Sequence, residues 1–191
     1  MIFAQGIIIE KKESGDADWK YIALTEELGK IEFLSRGGRK VLARLSGHIE
    51  PFSYTQLEFT PTTTLKLIGA TVSHHFRTLN NNPVLFAIAY RNAQFVNQFL
   101  PFHYHDADLF QIFHTYIYDM HTLGENVVLS ETEIRREAEK RTYHFLYGLG
   151  KQLGIISELQ FSENTLQLRE ENNQQLLVRN NNLRHHLLSN L

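Results

Sequence analysis

Apolar and polar residues alternate along the first third of the chain. Beyond it the apolar residues fall into a helical spacing. Residues 2 to 10, 19 to 25 and 30 to 35 are short runs rich in Ile, Phe, Tyr and Leu. They are separated by KKESGDAD and by EELG, where Gly29 can take the positive φ of a tight turn. YTQLEFT (54 to 60) and TLKLIGATV (64 to 72) alternate around PTTT and read as a strand pair. Five short strands at this spacing predict a small closed barrel, of which the five-stranded OB-fold is the commonest at this length. VLARLSG (41 to 47) reads as a short helix or turn between the third and fourth strands.

The texture changes at Asn80. Asn82 and Pro83 offer an N-cap and a first helical position, and Val84, Leu85, Ile88, Phe95, Val96 and Phe99 follow a helical period up to Pro101. A second helix starts near Asp106, with His105 or Asp106 as its cap, and Gly124 ends it. A third opens with Ser130 and Glu133 at capping-box spacing. Residues 158 to 191 are rich in Asn, Gln and Leu and read as one or two short helices or as fraying chain. Strands followed by helices make an α+β protein. The expected division is an OB-fold domain over 1–79 and a helical domain over 80–191.

Charge adds a direction to this outline. The net charge is only −2, yet Lys30 to Ile49 holds five cations against the single acid Glu32. Phe59 to His105 holds no acid, but does hold Lys66, Arg77 and Arg91. A positive face can therefore coexist with near-zero net charge. Cys is absent, which excludes disulfides and Cys-ligated zinc. No apolar run is long enough to span a bilayer, and the N-terminus lacks a signal-peptide layout. These features predict a cytoplasmic protein.

The densest cationic stretch, SRGGRKVLARL, sets Gly37 and Gly38 among Arg36, Arg39, Lys40 and Arg44. Glycines let a backbone approach a phosphate chain and present N–H groups, while the neighbouring cations supply charge-assisted contacts. Such contacts ignore base sequence and weaken steeply with salt. Lys66 and Arg77 are further candidates. Trp19, Tyr21, Phe33, Phe52 and Tyr54 are the aromatics available for stacking bases. A plain solvated basic turn is the other reading of the stretch.

Gly29, Ser35 to Lys40 and the LSGHIEPF segment (45 to 52) together resemble the N-terminal pattern of the RecO family of recombination mediators. RTYHFLYGLGKQLGII (141 to 156) is similar to that family's helix ending in Leu-Gly-hydrophobic. The resemblance implies binding of single- and double-stranded DNA, strand annealing and recombinase loading. It also implies action with a RecR-like partner and with single-stranded-DNA-binding protein, and localisation with the nucleoid. Many members continue into a four-Cys zinc module, which this sequence lacks, so zinc is not carried over.

The acidic, apolar tail of single-stranded-DNA-binding protein needs an apolar groove rimmed by cations. Arg141, Phe145 and Leu146 on the third helix are the candidates. Glu131, Glu133, Glu137 and Glu139 lie among the cations there, so an ordinary salt-bridged helix face remains the other reading. His74, His75, His103, His105 and Asp106 are ligands by type, but their spacing does not make a metal site. No nucleophile elbow or phosphate-binding loop occurs, so no catalytic residue and no cofactor is expected. The alternative function is a protein-interaction adaptor whose OB barrel has no significant DNA binding.

Overall fold

The computed structural model describes residues 1–38, 49–62, 64–126 and 128–155. The element expected at 41–47 and the segment 158–191 lie outside the described residues, as do Arg39, Lys40 and Arg44.

Five strands form the barrel: β1 (Ile2–Ser14), β2 (Asp18–Thr25), β3 (Gly29–Ser35), β4 (Ser53–Thr60) and β5 (Leu65–His75). They close in the order β1-β2-β3-β5-β4. All neighbours are antiparallel except β3 and β5, which run parallel and pair only at Phe33 with Leu65 and Leu34 with Lys66. This is an OB-fold barrel followed by helices, as the alternation predicts.

KKES is not a turn. It is the end of β1, which must reach two neighbours: Ile2 to Ile7 pair with β4, and Gly6 to Ser14 with β2. Thirteen residues extend about 43 Å, and an irregularity between Ile8 and Glu10 bends the strand around the barrel. Where β1 passes from one neighbour to the other, Gly6 leaves no room for a side chain. A Cβ there would fall on the Leu24 carbonyl oxygen.

The barrel is filled by one parity of each strand. Tyr21 stacks on Phe33 at 5.2 Å between ring centroids, and Phe33 meets Phe59 edge-on at 5.1 Å. Ala4, Ile8, Ile31, Leu57 and Leu67 complete this core.

Four helices follow: α1 (Arg77–Asn81), α2 (Pro83–Phe99), α3 (Ala107–Gly124) and α4 (Glu131–Gln152). The three longer ones start where their capping residues predict. The Asn82 side chain accepts from the Val84 and Leu85 N–H groups, Asp106 accepts from Leu109, and Ser130 with Glu133 forms a reciprocal capping box. The five-residue α1 is an addition, too short to show a period.

The helices do not stand apart from the barrel. Ile7, Ile9, Leu24 and Phe52 belong to the same core as Leu85, Phe110, Phe113 and Leu146. The β2–β3 end of the barrel is latched as well. Lys30 Nζ donates to the Asn97 carbonyl at the end of α2 at 2.6 Å and lies 4.2 Å from the Phe102 ring centroid.

Candidate nucleic-acid interface

The cationic corner lies at the end of β3. Gly37 takes φ +64°, a conformation that suits glycine. Its N–H donates to Asp18 Oδ1 at 2.7 Å, and the Gly38 N–H donates to the Ser35 carbonyl at 3.3 Å. The donors that the sequence reading offered to phosphate are thus used to build the corner. What remains is the side chain of Arg36, which is exposed.

Strand register places other cations beside it. Lys12 pairs with Lys20 across β1 and β2, Lys20 with Leu34 across β2 and β3, and Leu34 with Lys66 across β3 and β5. These four share one row and one parity, opposite to core-facing Tyr21 and Phe33. Lys12, Lys20 and Lys66 therefore stand on the outer wall, and Arg36 lies two residues along from Leu34. Neighbouring strands are about 4.8 Å apart, so the row crosses the strands with lysines spaced by one and two strand widths.

Acids interleave with the row. Lys12 Nζ is 2.8 Å from Glu10 Oε1, which raises the lysine pKa through that hydrogen bond. Lys20 Nζ is 3.2 Å from Glu32 Oε2. Among the described residues, no ion pair involves Arg36, Lys66 or Arg77. Lys12 escaped the sequence reading because KKES was taken as turn-like; Lys20 lay in the run 19 to 25, read as a strand but not singled out. Continuing the alternation of β1 through Ser14 would have put Lys12 on the outer face.

Arg77 does not join this group. It follows β5 at the end opposite Lys66, about 30 Å along the strand. Three proposed stacking aromatics are also corrected. Tyr21, Phe33 and Phe52 are fully buried, the first two inside the barrel and Phe52 against Phe86 at 5.5 Å. Trp19 is half-buried, with Lys11 Nζ 4.7 Å from its ring centroid. Tyr54 packs on His114 at 5.2 Å under the helices.

The partner candidates on α4 divide in the same way. A groove of about 400 Å³ between α3 and α4 is lined by Gln111, Ile112, Thr115, Tyr116, Asp119, Arg141, His144 and Phe145. Arg141 stands there but also reaches Glu137, at 3.8 Å. Leu146 is fully buried behind it. Asp106 accepts from Leu109 as the α3 cap, and His105 Nε2 meets the Glu26 carbonyl oxygen at 2.8 Å. Among the described residues, no group of three His, Asp or Glu side chains is placed to hold a metal, and no helix is long and apolar enough to cross a membrane.

A closed five-stranded barrel of this strand order, followed by helices, is an OB-type fold, and its outer wall carries a cationic row that crosses β1, β2, β3 and β5. Residues 1–75 match the family model described as Recombination protein O N terminal. The resemblance to RecO read from the sequence is borne out. The DNA repair protein RecO of Thermodesulfovibrio yellowstonii is 26% identical over 110 residues, which is 56% of this chain and 44% of that protein. RecO of Dehalococcoides mccartyi is 28% identical over 109 residues (56% and 43%), and RecO of Heliobacterium modesticaldum 30% over 110 (57% and 40%). The matched stretch thus spans under half the length of each of these curated relatives.

Proposed function

We propose that the chain is a RecO-type DNA-repair protein whose barrel holds single- and double-stranded DNA by the backbone, without sequence preference. Its relatives are named DNA repair protein RecO, and its barrel matches the N-terminal part of that family. The observation that carries the reading is the row of Lys12, Lys20 and Lys66 beside Arg36, which crosses the barrel wall from β1 over the β2–β3 face, the face OB barrels use for oligonucleotides, to β5. In the sequence Arg39 and Lys40 follow Gly38 and Arg44 comes four residues after Lys40, and this reading counts their charge with that of the row. Each phosphate neutralised releases counterions, which suits a protein that must act on any sequence.

On this reading the protein works in the cytoplasm on nucleoid DNA, annealing complementary strands and loading recombinase with a RecR-like partner. The α3–α4 groove takes the acidic, apolar tail of single-stranded-DNA-binding protein, with Arg141 at its rim and Phe145 in its wall. Arg77 is left out of the DNA interface.

Fluorescence anisotropy of labelled oligonucleotides across salt tests the proposal. Reversing Arg36, Lys20 or Lys66 to Glu should lower the log–log salt slope by about one each and weaken unrelated sequences equally. Unchanged affinity in the combined reversal would sink it. The interleaved Glu10 and Glu32 favour a second reading, an adaptor barrel without DNA binding. That reading expects little binding at moderate salt and no effect of the reversals.

A further inference from the structure

Three imidazoles surround one phenyl ring where the barrel meets the helices. Phe76, 1% exposed, directly follows β5. The ring centroid of His74 is 4.6 Å from that of Phe76, His121 is at 5.5 Å and His114 at 6.4 Å. His74 and His121 are themselves 5.6 Å apart. His114 also packs on Tyr54 of β4, and His121 Nδ1 is hydrogen-bonded to Thr78 Oγ1 of α1. One small cluster therefore ties β4, β5, α1 and α3 together.

Few charges oppose these rings. Glu26, in the β2–β3 turn, acts on His114, and Glu125 Oε1, just past α3, is 3.6 Å from His121 Nε2. Glu26 and Glu27 act on the Tyr54 phenol, whose pKa burial raises. His74 itself is exposed, as are its chain neighbour His75 and Arg77.

We propose that this cluster is a pH-sensitive seam: neutral imidazoles lock the barrel to the helices, and protons on His114 and His121 loosen it. A charged imidazole needs water or a partner. His114 and His121, both partly buried, have one carboxylate each to answer them. In the folded protein burial lowers the pKa of both His114 and His121, His74 lowers it further, and Glu26 and Glu125 only partly oppose this. With both folded values below the unfolded one, the unfolded chain binds more protons. The stabilisation is complete above about pH 6.5 and fades as pH falls below it.

The test uses the full chain and two measurements. The first is an imidazole NMR titration of the wild type. The second is the folded-to-unfolded ratio from urea unfolding at about pH 7.5 and about pH 5.5, for wild type, H75Q and the double variant His114→Gln, His121→Gln. His114 and His121 should titrate below the ordinary histidine value. The acid-induced loss of folded ratio should be larger in wild type and H75Q than in the double variant, by up to about tenfold for each imidazole. An equal acid loss in the double variant would overturn the proposal, and so would titration of both rings at or above the ordinary value. Should the double variant not fold, the wild-type titration decides alone.

Discussion

Gly29 and Gly15 both sit at positive φ, at +66° and +59°, but their surroundings differ. A Cβ on Gly29 would strike the Tyr104 carbonyl, whereas one on Gly15 meets nothing within 4 Å. Gly15→Ala should cost about 1 kcal/mol and Gly29→Ala at least about 3 kcal/mol, read by urea unfolding. Lys30 offers a pH test at the same scale. Burial lowers its pKa in the folded protein. Unfolded chain then binds more protons above the folded value, so wild-type stability should climb with rising pH up to about pH 10.4. K30M should flatten that climb, and a climb of equal size in the variant would contradict the assignment. Single residues were the scale least legible in the sequence. Alternation says that Tyr21 and Lys20 face opposite ways, but not which of them faces inward. Tyr21, Phe33 and Phe52 were therefore offered to bases although the core claims them.

Elements were more legible, because their signals are local. Asn82, Asp106 and Ser130 each cap the helix they precede. Ser130→Ala should cost about 1 kcal/mol, measured as a lower urea midpoint with an unchanged slope. The end of β1 was misread for a physical reason. Charged KKES resembles a turn in isolation, and only closure around two neighbours demands its extended form. The contacts between helices were also beyond sequence reading. Asn92 Nδ2, fully buried in α2, donates to Tyr116 OH of α3 at 2.7 Å and to Thr142 Oγ1 of α4 at 3.2 Å. Asn92→Ala should cost about 2–3 kcal/mol by leaving buried hydroxyls short of a donor.

At the scale of the whole molecule, the shared core argues for joint unfolding of barrel and helices. The sole tryptophan, Trp19, reports on the barrel, while far-ultraviolet circular dichroism reports mainly on the helices. The two signals should give coincident urea transitions, and separated midpoints would show independent units. The order of strands then helices was readable from periodicity, but their fusion through Ile7, Ile9, Leu24 and Phe52 was not, because it depends on the outer faces of strands. Barrel closure has a mechanical corollary. Among the described residues, β3 and β5 meet through two rungs, against seven between β2 and β3. Under tension the cylinder should part along that line first and swing open like a hinged cuff, with the β1-β2-β3 meander on one leaf and the β4–β5 pair on the other.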